Sequence, residues 1–189
     1  MAALIKELAL QKNYVTANLG MGINGLISGT LSRVNEIIIG KYVVKNVIAA
    51  FPDSNIKALS VPRDGNIGIG LVKKFDVIFD YPDSVMYLKP GPSYRKKDEH
   101  DMSGLVYYAD TDDDGQHILI TKIEPGSAGE AAGLQADDEI VDINFRSTTQ
   151  FSLQQIDEMF KSANGRTFVL GIGRNKKYIP ILLTLKRRI

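Results

Sequence analysis

The stretch Ile123–Asn144 constrains the fold more than any other part of the chain, because its residues prescribe a fixed order of local structures. An extended segment ends at a proline-glycine pair, which favours a turn. Ser127 can cap the helix predicted over Ala128–Ala132, and Gly133 supplies the left-handed position that ends it. The polar residues that follow lead into another strand. The stretch therefore predicts a strand, a short helix and a second strand in close succession.

The same run, IEPGSAGEAAGLQADDEIVDIN, closely resembles the centre of a PDZ domain, a module that binds peptides. The resemblance implies that the ligand is added as an extra strand to an exposed sheet edge, with its terminal carboxylate on the backbone amides of a tight loop. Ser103-Gly104-Leu105 takes the place of that loop's apolar-Gly-apolar run, and Leu105–Tyr108 takes the place of the receiving strand. Ser103 departs from the usual apolar residue, so the sequence supports groove binding more strongly than carboxylate capture.

A second segment supplies the other wall of the implied groove. Ser152 can cap a helix over Leu153–Ser162, whose apolar residues recur at helical spacing. By their position in a PDZ domain, Leu153, Asp157 and Phe160 would line the groove, and the Asp157 carboxylate would favour a basic or hydroxyl side chain on the ligand. The full set of predicted peptide-binding residues is Ser103, Gly104, Leu105, Val106, Tyr107, Tyr108, Leu153, Asp157 and Phe160.

The end of the chain predicts a hairpin of strands over Thr167–Gly173 and Tyr178–Lys186. This hairpin places a strand of the domain near the end of the chain, whereas no strand of the domain is predicted before Ser103. That order resembles the circularly permuted arrangement of bacterial PDZ domains, in which the last strand fills the slot of the first.

The N-terminal half begins with a predicted helix over Ala2–Gln11 and a strand over Tyr14–Leu19, followed by the glycine-rich run Gly20–Gly25. That run matches the GxGxxG dinucleotide fingerprint, but β-type residues follow it in place of the required helix. We therefore predict a turn between two strands and no nucleotide site. Val34–Ile39 and Tyr42–Ala50 predict a further hairpin.

The run DGNIGIGLVKKFDVIFDYPDSVMYLKP predicts a glycine-rich strand, a short helix over Leu71–Lys74 and a hairpin. It resembles the closing third of a retropepsin-like aspartic protease, and the resemblance extends over Tyr14–Pro90. Such proteases activate water between two aspartates held in Asp-Thr/Ser-Gly loops. Neither Asp-Thr-Gly nor Asp-Ser-Gly occurs in the sequence, so no catalytic residue is assigned. We expect a truncated form whose catalytic triplet lies within about 20 residues upstream of Met1.

The composition excludes several classes of function. The 189 residues carry 23 Lys+Arg and 22 Asp+Glu, a net charge of +1, which gives no overall field to attract nucleic acid. No apolar run is long enough to span a membrane, and zero cysteines exclude disulfides and thiolate metal sites. His100 and His117 lack metal-ligand spacing, and the acidic run Asp110–Gly115 lacks the twelfth-position acid of a calcium loop. We therefore expect no metal and no cofactor.

These observations predict a mainly β protein with short helices (α+β). Its domains would be a partial retropepsin-like β-barrel over residues 1–90, a linker over 91–101 and a circularly permuted PDZ domain over 102–189. The predicted function is recognition of peptides, protein C-termini or extended segments by a PDZ groove attached to a truncated aspartic protease domain. One alternative is an active aspartic endopeptidase within a longer or dimeric protein, and another is a structural protein with no free ligand. Unpaired strands of a partial barrel favour a homodimer, and the resemblance favours an extracytoplasmic bacterial location, periplasmic or secreted.

Overall fold

The structure of the chain, a computed structural model, describes residues 10–22, 25–53, 65–112 and 115–189. It is mainly β with short helices, as the sequence predicts. The chain divides into two compact units between Asp98 and Glu99, within the segment 91–101 that the sequence predicts as a linker.

The N-terminal unit contains a three-stranded antiparallel sheet. Its strands lie in chain order: β1 (Leu10–Gly22), β2 (Gly25–Ile39) and β3 (Tyr42–Pro52). β1 ends at Gly22 and β2 begins at Gly25, which pairs with it, so the prediction that the glycine-rich run connects two strands is confirmed; residues 23 and 24 lie outside the described residues. The predicted β2–β3 hairpin is also present, and its turn includes Gly40 at a φ of +57°.

Two predicted helix boundaries in this unit differ from the structure. Residues 1–9 of the helix predicted over Ala2–Gln11 lie outside the described residues, whereas Leu10 and Gln11 belong to β1, so the prediction is wrong at that end. Leu10 pairs with Val34, and this sheet pairing outweighs the local helical spacing. The helix predicted over Leu71–Lys74 is present two residues earlier.

That helix, α1 (Ile69–Val72), precedes a hairpin of β4 (Phe75–Asp80) and β5 (Val85–Pro90). Aromatic contacts hold the hairpin and the three-stranded sheet around a small core. The Tyr42 ring lies 5.5 Å from that of Phe75, and the Tyr94 ring lies 5.3 Å from it. The core also includes the buried residues Val34, Val44, Val47 and Leu71. The five described strands thus form a three-stranded and a two-stranded sheet, and the retropepsin-like barrel stays a prediction.

The C-terminal unit is built on one antiparallel sheet with the strand order β11-β10-β8-β7-β6. Its elements are β6 (Leu105–Asp112), β7 (Gly115–Ile123), α2 (Ala128–Ala131), β8 (Glu139–Ile143), β9 (Arg146–Ser147), a 3-10 helix (Thr148–Gln150), α3 (Leu153–Phe160), β10 (Thr167–Arg174) and β11 (Lys177–Thr184). The short β9 pairs with β8 alongside this order. One continuous core of buried apolar side chains, drawn from the sheet and from α3, holds the unit together.

The stretch Ile123–Asn144 folds as its residues predict. The Ser127 hydroxyl caps α2 by accepting a hydrogen bond from the Glu130 amide, and Gly133 ends the turn at a φ of +77°. The buried Asp138 carboxylate then anchors the next strand, because the Arg174 guanidinium on β10 donates to both of its oxygens at 2.6 and 2.7 Å. The stretch therefore fixes β7 and β8 in the sheet through local caps and one buried ion pair.

The two ends of the sheet differ in sequence. β11 carries Pro180, which lies opposite Gly171 of β10. A proline lacks a backbone donor and is tolerated in sheets chiefly on edge strands, which is the position of β11. β6, at the other end, contains no proline.

Candidate functional site

The candidate site is built on β6, the strand at one end of the sheet. Its residues alternate as a half-buried strand should: Leu105, Tyr107 and Ala109 pack on the core, whereas Val106 and Tyr108 are exposed. Within the part of the chain that the structure describes, β6 pairs only with β7, so one of its backbone edges has no neighbouring strand. This edge is available for an added strand.

A β-bulge interrupts the β6–β7 ladder next to the centre of this edge. Val106 pairs with Lys122 and Tyr107 pairs with Ile120, which leaves Thr121 as the extra residue. The Thr121 hydroxyl donates to the Val106 carbonyl oxygen at 3.0 Å and holds the bulge in place. Bulges bend a strand locally, and this one lies beside Tyr107, whose side chain contacts α3.

Helix α3 packs against the face of the sheet that carries the Tyr107 side chain. Its start is fixed by a capping box: the Ser152 hydroxyl accepts from the Gln155 amide at 3.2 Å, and the Gln155 side chain accepts from the Ser152 amide at 2.8 Å. Three predicted groove residues follow at helical spacing. Phe160 is fully buried, Asp157 is half-buried and Leu153 is 37% exposed.

Tyr107 and Asp157 connect the two walls. The Tyr107 ring packs edge-on against the Phe160 ring at 5.9 Å, and its hydroxyl donates a hydrogen bond to Asp157 Oδ1. Burial, and then the hydrogen bond to the Asp157 carboxylate, raises the pKa of Tyr107 above its ordinary value. The tyrosine therefore stays a protonated donor at neutral pH, and the Asp157 carboxylate is already engaged by a hydroxyl of this chain.

The loop that leads into β6 is closed by Asp101. Its carboxylate accepts hydrogen bonds from the Gly104 amide at 2.6 Å, the Ser103 amide at 3.2 Å and the Ser103 hydroxyl at 2.6 Å. The Ser103 hydroxyl oxygen in turn accepts from the Leu105 amide at 3.1 Å. The three amides of the predicted carboxylate-binding loop thus all donate to side chains of the loop itself.

Gly104 fits this loop for two reasons. Its φ is +71°, which favours glycine, and an added Cβ would lie 2.1 Å from the Ser127 Cβ. The loop also bonds to its neighbours through the backbone, because Gly129 N donates to the Ser103 carbonyl and Met102 N donates to the Phe160 carbonyl. The loop is therefore a rigid part of the domain at the C-terminal end of α3.

The immediate surroundings of the loop include His100. Burial lowers the pKa of His100, an effect that the Asp101 carboxylate opposes and that Arg188 and Lys161 reinforce. The imidazole is thus neutral at pH 7 and adds no positive charge beside Asp101.

The nine predicted residues lie on β6, on the loop before it and on α3, and their burial and contacts differ. Ser103, Gly104, Leu105 and Phe160 are buried. Val106, Tyr108 and Leu153 are exposed, and Tyr107 and Asp157 are joined to each other. Sequence reasoning missed Asp101. The available signal was the run Asp101-Met-Ser-Gly, since aspartate and serine often bond to backbone amides two or three residues on.

No group of three or more histidine, aspartate or glutamate side chains able to hold a metal ion occurs among residues 10–22, 25–53, 65–112 and 115–189. In the same described ranges, no helix is long and apolar enough to cross a membrane.

An edge strand that packs beside a helix, as β6 does beside α3, is a geometry that some modules use to bind peptides by strand addition. The sequence comparison identifies the module further, because the family model described as PDZ domain matches residues 95–172. The chain therefore contains a PDZ domain. No curated protein matches the chain.

Solved structures similar to the chain include a PDZ domain protein from Parabacteroides distasonis, at 22% identity and a TM-score of 0.39 over 47% of this chain. A putative S41 protease from Bacteroides fragilis has 25% identity and a TM-score of 0.37 over 49% of this chain. The HtrA-type protease AlgW, solved with a decapeptide, has 11% identity and a TM-score of 0.46 over 94% of this chain. The matches span 20%, 25% and 61% of those proteins, respectively.

Proposed function

We propose that the groove between β6 and α3 binds an extended peptide or protein segment by adding it as a strand to β6. The observation that carries this proposal is the position of β6 at the end of the sheet, with the face of α3 opposite. Backbone pairing supplies affinity in this mode, and side-chain pockets supply selectivity. The residues proposed to contact the ligand side chains are the exposed members of the predicted set, Leu153, Val106 and Tyr108, together with Tyr107 and Asp157 at the groove centre.

A peptide titration of the full chain tests the proposal. Peptides selected from a randomised heptapeptide library are added to ¹⁵N-labelled protein, and amide shifts are followed by NMR. We expect saturable shifts along β6 and α3 and unchanged shifts in β11, the opposite edge strand, which serves as an internal control. A library without a single binding peptide, or shifts confined to β11, would contradict the proposal.

A structural role is the second candidate, and one observation favours it. The hydrogen bond from Tyr107 to Asp157 crosses from β6 to α3, so the groove is bridged by the chain itself. If the role is structural, neither the original chain nor Tyr107→Phe is expected to bind a peptide. If the groove is functional, the same variant is expected to bind the selected peptide at least as tightly as the original chain, because no internal bond has to open.

We also propose that the N-terminal unit is related to the closing part of a retropepsin-like aspartic protease. The order of α1, β4, a turn and β5 supports this, because the resemblance implies a short helix followed by a hairpin. Since the sequence has no Asp-Thr-Gly or Asp-Ser-Gly, the chain is expected not to cleave denatured casein at pH 4 or pH 7. Cleavage that survives purification to homogeneity would instead favour an active endopeptidase.

The circularly permuted order is proposed on a separate observation. The segment after β11 bonds beside the entry to the receiving strand, because Lys186 N donates to the Met102 carbonyl at 3.0 Å. A late segment next to the start of the domain is the arrangement expected when the last strand fills the slot of the first.

A further inference from the structure

The PDZ groove of this chain binds internal segments of polypeptides, and we infer this from the Asp101 carboxylate, which holds the amides that would otherwise take a ligand's C-terminal carboxylate. The inference rests on the proposed function and names the class of ligand.

The geometry leaves the loop without a free amide for a ligand carboxylate. Each backbone N–H has a single hydrogen. The hydrogens of Ser103 and Gly104 point to the Asp101 oxygens, and that of Leu105 points to the Ser103 hydroxyl. The Ser103 and Gly104 amides donate to a carboxylate, the latter at 2.6 Å, so these two bonds belong to the stronger, charge-assisted class of protein hydrogen bonds.

Competition favours Asp101 over a ligand. Its carboxylate is tethered two residues from Ser103, so it needs no association step, whereas a ligand carboxylate would have to be desolvated and held in place. The Asp101 charge also repels a second carboxylate at the same amides. His100, the adjacent residue, is held neutral by burial and does not offset that charge.

An internal segment escapes this competition. Strand addition to β6 uses main-chain groups along the strand and does not need a chain end. A ligand that continues past the Asp101 loop keeps its next peptide group uncharged, so it meets no like-charge repulsion there. The groove would therefore accept loops and extended segments of folded or unfolded proteins.

The first experiment compares chain ends on the intact 189-residue protein. Randomised heptapeptides are displayed either at a free C-terminus or between two carrier domains. The best binder is then synthesised as a free acid, as a C-terminal amide and with a Gly-Ser extension. We expect enrichment from the internal display and dissociation constants that agree within about twofold among the three forms.

Two other outcomes are distinguishable. Binding that needs a free C-terminus and weakens tenfold or more on amidation would overturn the inference while the groove function stands. No enrichment from either display would remove the groove function, and the inference with it.

The second experiment releases the loop amides. In Asp101→Ala and Asp101→Asn, the free-acid peptide is expected to gain about tenfold over the amide, with the smaller gain in the asparagine variant, which keeps one acceptor oxygen. Asp110→Ala, the same change at the exposed end of β6, is the matched control and should leave the acid-to-amide ratio unchanged. An unchanged ratio in both folded Asp101 variants, verified by their amide spectra, would overturn the inference.

Discussion

The two units of this chain bury their apolar side chains to very different extents. In the C-terminal unit, one core joins every long strand to α3, and Ile118, Ile140 and Phe168 are completely inaccessible. In the N-terminal unit, the core is small, and the β4–β5 hairpin leaves large apolar side chains in solvent: Ile78 is 68% exposed and Tyr81 is 82% exposed. Burial of apolar surface is the main stabilising term in folding, so the two units should respond differently to the same kind of substitution.

The difference also shows how each unit is held together. The PDZ domain is stabilised by its core and by local caps, and its polar anchors, such as Asp138 with Arg174, are additions to that core. In the N-terminal unit, individual polar contacts add to a smaller core. The Lys74 ammonium, on a side chain that is 2% exposed, donates to the Lys96 carbonyl at 2.6 Å and lies 3.2 Å from the Asp98 carboxylate. Three pairs of matched variants and one single variant test this contrast.

The largest effect is expected from Phe160→Ala. Phe160 is fully buried between the rings of Tyr107 and Phe168, so truncation should lower the free energy of unfolding of the PDZ domain by about 3–5 kcal/mol. Phe79→Ala on β4, which is 54% exposed, should change stability by less than about 1 kcal/mol. Urea unfolding followed by hydrogen exchange of each unit measures both. A Phe79 variant as damaging as the Phe160 variant would show that the hairpin face is covered in solution.

A smaller effect is expected from Gly104→Ala, because it combines backbone strain at a positive φ with a clash against Ser127, about 3 kcal/mol together. Gly133→Ala has the same kind of backbone strain at a φ of +77° but no atom within 4 Å of the new Cβ. It should therefore cost only about 1–2 kcal/mol. The difference between the two thermal unfolding curves isolates the clash. Equal losses would mean that the loop moves away from Ser127 at little cost.

In the N-terminal unit, Lys74→Ala should lower stability by about 2 kcal/mol, because it removes a buried ion pair whose carboxylate partner is itself partly exposed. Lys73→Ala, one residue earlier and exposed, should change stability by no more than about 0.5 kcal/mol. Hydrogen exchange of residues 65–98 reports on this unit alone. If both variants behave alike, the unit does not depend on the Lys74 contacts.

The smallest effect at neutral pH is expected from Tyr107→Phe, about 1 kcal/mol for one hydrogen bond. The folded-state pKa of Tyr107 lies above its unfolded value, so the unfolded chain loses this proton first. The contribution of Tyr107 is therefore complete below about pH 10 and declines as the pH rises further. Urea midpoints measured from pH 8 to pH 11 should fall less steeply in the phenylalanine variant. Parallel slopes for the two proteins would contradict the assigned bond.

The parts of the fold that could be predicted are those encoded by neighbouring residues. Ser127, Gly133 and Ser152 act within four positions of their partners, so their roles follow from residue type alone. The prediction that Leu105–Tyr108 and α3 form the two walls of a groove came from the resemblance of Ile123–Asn144 to a PDZ domain. The strand at Leu10 was mispredicted as helix because its partner in β2, Val34, lies more than 20 residues away, where local spacing carries no information.

The details of the site depended on distances that the sequence does not contain. The Tyr107–Asp157 bond joins residues 50 positions apart, and it depends on the register of β6 and on the bulge at Thr121. The Asp101 contacts are local and could have been predicted from its turn-forming neighbours. The retropepsin-like part stays a prediction, because its diagnostic triplet is absent from the sequence.

Pro180 has a consequence for how copies of the chain can associate. A sheet with two receptive edges can stack on identical copies of itself without limit, and such growth ends in fibres. Because Pro180 removes a backbone donor from β11, that edge is a poor template, whereas β6 carries no proline. Pairing between copies is therefore disfavoured at β11 relative to β6, and a pair joined through β6 would compete directly with a bound peptide. Pro180 thus acts against open-ended polymerisation at the end of the sheet away from the proposed peptide site.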